Sequence, residues 1–114
     1  MDAIQFYKSL ADETRLMSLL LILQEEELCV CELMEALEDI QPKISRHLAQ
    51  LKKNGLLVDR RQGQWVFYRL NPSLPIWCLQ VLKETQLANI VLTKQQLKRI
   101  QCMGSRPERL AACC

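Results

Sequence analysis

The chain has 114 residues, 49% of them hydrophobic, and a formal net charge of +2. That length favours one domain, and the longest apolar run, residues 19–23, is far too short to cross a bilayer. A membrane-spanning chain and a low-complexity chain are therefore excluded. What remains is a small globular domain that exposes much apolar surface alone and would cover more of it as a dimer.

The small net charge conceals a strong asymmetry. Residues 1–40 carry ten acidic and two basic side chains, whereas residues 41–70 carry seven basic groups against Asp59 alone. Basic charge gathered in the middle of a chain is the footprint of a polyanionic partner, although a solvated face can look the same. Six cysteines are present, and Met1-Asp2-Ala3 lacks the basic start of a signal peptide. A cytoplasmic chain with reduced thiols is expected, so closely spaced cysteines read as ligands or redox groups, not as a disulfide framework.

In chain order, residues 3–10 suggest a short helix with Ile4, Phe6 or Tyr7 and Leu10 inward. Asp12 suits the N-cap of a second helix, and Leu16, Leu19, Leu20 and Leu23 recur at helical spacing along its buried face. Glu25-Glu26-Glu27 ends it as a solvated acidic patch. A third helix runs from about Val30 to Leu37. Pro42 suits the first position of a fourth, where its missing N–H costs nothing, and Gly55 supplies a left-handed stop after Asn54. Residues 56–61 and 65–70 have β character and flank Gln62-Gly63, so they read as a hairpin. Pro75 opens another helix with Ile76, Leu79 and Leu82 one turn apart, and Thr93 with Gln96 form a capping-box pattern for a last helix through about Cys102. Residues 104–114, with Gly, Pro and small side chains, read as a mobile tail. The expected division is a winged DNA-binding and dimerisation domain over residues 1–92, followed by a C-terminal helix and cysteine-bearing tail over 93–114.

Two short helices joined by a tight turn and followed by a basic hairpin make a winged helix-turn-helix, mainly α with a two-stranded β-hairpin. In the fourth helix Ile44, Leu48 and Leu51 share one face, while Arg46, Gln50 and Lys53 share the other, flanked by Lys43 and Ala49. Between Gln41 and Gln50 no acidic residue interrupts the polar stripe. Arg can address guanine and Gln adenine in a major groove, and Lys43 and Ser45 near the helix start suit phosphates or base edges. His47 either touches DNA or packs at the helix flank. Arg60 and Arg61 at the wing suit the DNA backbone or minor groove, and Arg69 is either solvated or a phosphate contact.

Cys29 and Cys31 stand at the start of the third helix, which supports the reading helix. Thiolates select soft ions, and a helix N-terminus is expected to lower a cysteine's pKa. Residues i and i+2 of a regular helix point about 200° apart, so one ion can be gripped by both only where the first turn is non-helical or unwinds. The alternative is that both are small buried hydrophobes. Cys78 reads as core or dimer interface. No catalytic constellation appears, so an enzyme is not expected.

Together Leu28-Cys29-Val30-Cys31-Glu32-Leu33, Gln41-Pro42-Lys43-Ile44-Ser45-Arg46-His47-Leu48, Gly55-Leu56-Leu57 and the hairpin from Arg61 to Leu70 resemble the ArsR/SmtB family of metal-sensing repressors, arsenic branch. Ala11-Asp12-Glu13-Thr14-Arg15 also resembles that family's early helix junction. The resemblance implies a homodimeric repressor that binds double-stranded operator DNA and leaves it when As(III) or Sb(III) binds cysteine thiolates. It implies Cys29 and Cys31 as ligands. In the family pattern a third cysteine follows three residues after the second, and here that position is Met34, a poor substitute for a thiolate. Either two sulfurs suffice or Cys102, Cys113 or Cys114 completes the set. A methylated arsenical, Cd, Pb or Zn, or thiol oxidation is the alternative signal, and a winged-helix protein-interaction module the alternative class.

Overall fold

The computed structural model describes residues 1–113, with side chains described through Ala111. The elements run α1 (Ala3–Leu10), α2 (Glu13–Glu25), β1 (Leu28–Cys29), α3 (Val30–Leu37), α4 (Gln41–Lys53), β2 (Leu57–Gln62), β3 (Trp65–Leu70), α5 (Ile76–Ala88), α6 (Ile90–Cys102) and α7 (Arg106–Cys113). This is a winged helix-turn-helix with a small antiparallel sheet. Local chemistry sets most boundaries. The Asp2 carboxylate accepts from Gln5 N at 2.8 Å and the Asp12 carboxylate from Arg15 N at 3.1 Å, capping α1 and α2. Pro42 lies in the first turn of α4. Gly55 takes φ +83° just beyond that helix, the left-handed stop its sequence position suggests.

Residues of α1, α2, α3, α4, α5 and α6 meet in one core, with Phe6, Leu19, Ile22, Leu33, Ile44, Leu48, Leu51 and Leu82 buried. Phe67 from β3 is fully buried as well. Burial of each such side chain is worth about 1.5–3 kcal/mol, and this shared core fixes α4 against α2 and α3.

Several expectations change. The sheet has three strands in the order β1-β3-β2, because Leu28 and Cys29 pair with Tyr68 and Phe67. Two residues are too few to show strand alternation in a sequence. The hairpin turn falls one residue later than expected, at Gly63-Gln64, which moves Arg60 into the body of β2 opposite Phe67. In α1, Phe6 is buried while Ile4 and Tyr7 are exposed, and in α5 Ile76 is exposed while Cys78 and Leu82 are buried. α6 starts at Ile90, and Thr93 is a buried residue whose hydroxyl accepts from Gln86 Nε2 at 3.0 Å, so it caps nothing.

The segment expected as a mobile tail is helical from Arg106. Ser105 N donates to the Glu108 carboxylate at 3.1 Å, and the Ser105 hydroxyl to the same oxygen at 2.9 Å. The turn before it needs Gly104 twice over. Its φ is +89°, and a Cβ there would stand 2.6 Å from the Glu108 carboxylate that caps the helix.

Candidate nucleic-acid interface and thiol site

In α4, the buried Ile44, Leu48 and Leu51 leave Arg46, Ala49, Gln50 and Lys53 on the exposed side. Gln41 is exposed and donates from Nε2 to the Ser45 hydroxyl at 3.0 Å. Lys43 pairs with Asp39 at 2.7 Å across the turn from α3, which raises its pKa and holds its charge at the N-terminal end of α4. Lys52 pairs with Asp59 at 3.0 Å, tying α4 to β2. The helix is thus aimed from both ends, with its basic and amide side chains turned outward.

Two members of the expected DNA set are placed otherwise. His47 is 7% exposed, with Nδ1 3.5 Å from Arg15 Nη1 and 3.9 Å from Asp12. Burial lowers its pKa. It packs at the helix flank, the second of its two readings. Arg60 donates through Nε and Nη2 to both Glu27 oxygens at 2.7 Å and stacks 4.8 Å above the Phe67 ring. Its guanidinium is held by Glu27, while the residue itself stays exposed on β2. Arg61 stays exposed on the wing. The same pairing corrects the acidic patch: Glu27 is a clamped carboxylate, its pKa lowered by the Arg60 hydrogen bonds and further by Arg106.

Cys29 is the N-cap of α3, with extended backbone at φ −92° and ψ 169°, and Cys31 is the second residue of the helix. The first of the two thiols therefore already lies outside the helical turn. Cys29 and Glu32 close a capping box, in which Cys29 N donates to Glu32 Oε1 at 2.9 Å. The helix start does not activate this sulfur. Burial pushes the Cys29 thiol up to about 11, outweighing the Glu32 N–H that favours the thiolate, and the Glu32 carboxylate adds to the rise. The expectation of a lowered pKa at Cys29 is corrected on that ground.

Both cysteines line one open cleft of about 580 Å³, together with Val30, Met34, Gln41, Gln64, Trp65 and Val66. The thiols thus share a cavity with the first residue of α4 and with the wing turn. Met34, standing where a third thiolate would be, also faces it. Two sulfurs and a thioether border the cleft, donors of the kind a thiophilic ligand takes. Among the described residues no group of three or more His, Cys, Asp or Glu forms a metal cluster. Cys78 is buried in the core, and Cys102 is exposed at the end of α6 and does not line the cleft. The side chain of Cys113 and the whole of Cys114 lie outside the described residues. Sequence reasoning missed Glu32, Arg109, Arg106 and Trp65. Only Glu32 carried a signal, at the third position after the cap.

A helix with an outward basic face, buttressed by a second helix and followed by a wing, is a DNA-binding transcription regulator and not an enzyme. The model of the bacterial regulatory protein, arsR family, matches residues 12–58. The chain is 57% identical over 108 residues to the arsenic resistance transcriptional regulator ArsR2 of Pseudomonas putida, covering 95% of this chain and 94% of that one. It is 48% identical over 104 residues to the arsenical resistance operon repressor of Escherichia coli, covering 89% of each. Among solved structures, HlyU from Vibrio cholerae superposes with a TM-score of 0.67 at 33% identity, covering 77% of this chain and 91% of that one. The chain belongs to the ArsR family of bacterial transcription regulators. No helix among the described residues is long and apolar enough to cross a membrane.

Proposed function

We propose that this protein is a repressor of an arsenic-resistance operon, holding operator DNA until trivalent arsenic or antimony binds Cys29 and Cys31. The observation that carries the reading is the shared cleft: two thiols, Gln41 at the head of α4, Gln64 of the wing turn and Trp65 at the start of β3 border one space. A soft ion drawn to those sulfurs acts on the parts that address DNA. The likeness to the arsenic resistance regulator of P. putida and the arsenical resistance operon repressor of E. coli supports arsenic as the signal. Arg46 and Gln50 serve as base-reading groups, with Lys43, Ser45, Gln41 and Arg61 positioning the backbone.

The repressor acts as a homodimer. Phe6 stands edge-on to Tyr7 and Trp77, with ring centroids 5.3 and 5.0 Å away, so α1 and α5 share one apolar face. Ile4 is 69% and Ile76 74% exposed in the protomer, and two copies joined on that face bury them. Capture links each sulfur to the metalloid as a thiol proton leaves with a metalloid hydroxyl as water. Titrating the protein–operator complex with arsenite, antimonite and cadmium tests the reading. Release by arsenite or antimonite at stoichiometric concentration is expected. Release by cadmium alone points to the divalent-ion alternative, and release by none of them refutes the assignment.

A further inference from the structure

The C-terminal helix grips both flanks of the thiol segment. Arg109, only 15% exposed, places Nη1 3.0 Å from Oε2 of the fully buried Glu32 and 3.5 Å from Glu25. Its Nε donates to Gly104 O at 2.8 Å, which fixes the side chain to the turn that opens its own helix. Arg106 donates to Glu27 Oε1 at 3.0 Å and to Glu27 O at 2.7 Å. Its guanidinium also lies 4.7 Å from the Phe67 ring. Glu27 immediately precedes β1, and Glu32 follows Cys31. Two guanidiniums one helical turn apart thus bracket residues 28–31.

Glu32 ties this grip to the cap. One carboxylate oxygen receives Cys29 N and the other receives Arg109. Cys29 lies just outside the first turn of α3 and Cys31 within it, so a ligand that draws the two sulfurs together pulls on that turn and tends to open it. Opening carries Glu32 away from the Cys29 amide and strips Arg109 from a carboxylate that has no solvent to replace it.

We propose that α7 is a latch on the sensing segment: Arg106 and Arg109 are positioning residues that hold residues 27–32 closed, and metalloid capture releases the helix. The inference rests on Cys29 and Cys31 being the ligands. The latch sets the concentration at which the protein responds without touching DNA or metalloid.

Hydrogen exchange on the intact protein, with and without arsenite, tests it. Arsenite is expected to speed exchange in residues 106–111 along with the first turn of α3. Unchanged exchange in α7 beside a changed α3 overturns the latch and leaves the ligand assignment standing. No change in either overturns both. The Arg106→Gln variant keeps Glu27 paired to Arg60 and so retains its fold. Its arsenite midpoint for operator release is expected to fall by roughly fivefold, with metalloid-free operator affinity unaltered. Arg109→Lys is expected to sit between wild type and Arg109→Gln. If Arg109→Gln unfolds, Glu32→Gln/Arg109→Gln removes both buried charges, and its midpoint is expected to fall likewise. A wild-type midpoint in Arg106→Gln and in that double variant contradicts the proposal.

Discussion

Cys29 lies directly across the β1–β3 ladder from Phe67. Phe67 in turn lies across the β2–β3 ladder from Arg60, so Cys29 and the wing strand β2 flank the same residue of β3. A displacement at Cys29 therefore reaches the wing through backbone hydrogen bonds, and α4 through the packing of α3. Thiol and wing are joined by neighbouring contacts, with no long relay between them.

The exposed stripe of α4 separates reading from folding. Arg46→Ala and Gln50→Ala are each expected to weaken operator binding by about 1–3 kcal/mol and relax base preference at one position. Melting temperature should stay within the scatter of surface substitutions. Electrophoretic shifts on the operator and on single-base variants of it check this. Uniform weakening across all variants would assign these side chains to phosphates.

Arg60→Ala is expected to behave in the opposite way. It strips Glu27 of a two-point partner and Phe67 of a stacked guanidinium. The melting temperature should fall, while the slope of log affinity against log salt stays at its wild-type value. A slope reduced by about one unit without loss of stability would return Arg60 to the DNA contacts.

Cys29 should be a slow nucleophile. With its pKa near 11, only about one sulfur in a thousand is ionised at pH 8, and alkylation by iodoacetamide should rise tenfold per pH unit with no plateau below about pH 10. Mass spectrometry of the labelled peptide gives the profile. The same shift has a stability consequence. A thiol raised in the fold contributes stability in full below its ordinary value of 9.0 and loses it as pH climbs towards 11. Cys29→Ala should flatten the alkaline side of the stability curve.

The apolar face of α1 and α5 predicts assembly. Ile4→Glu combined with Ile76→Glu should give a monomer by sedimentation, with helical content preserved and operator affinity lost, because one half-site alone binds weakly. A dimer that survives this pair places the interface elsewhere.

Much of this architecture was legible in the chain. The Ile44, Leu48 and Leu51 stripe with its polar counterpart, the Asp12 cap and the hairpin flanking Gly63 each state their role through local spacing. β1 was hidden because its pairing with β3 is non-local and only two residues long. Arg60 was misplaced by a one-residue shift of the turn, which moved it off the wing tip and over a ring. The α7 helix had a readable start, since Ser105 and Glu108 stand at capping-box spacing, but Gly104 and Pro107 suggest a breaker to anyone counting residue types. At Cys29 two opposing effects meet, and the sequence shows only the helix start, while the burial that outweighs it belongs to the packed fold.

The most direct test is arsenite-driven release from operator DNA by the Cys29→Ser/Cys31→Ser variant, followed by fluorescence anisotropy beside wild type. The variant is expected to bind operator with wild-type affinity and stay bound at arsenite concentrations that free the wild-type protein completely. Normal release from the double variant would contradict the account, because the signal would then enter somewhere other than the cleft between α3 and the wing.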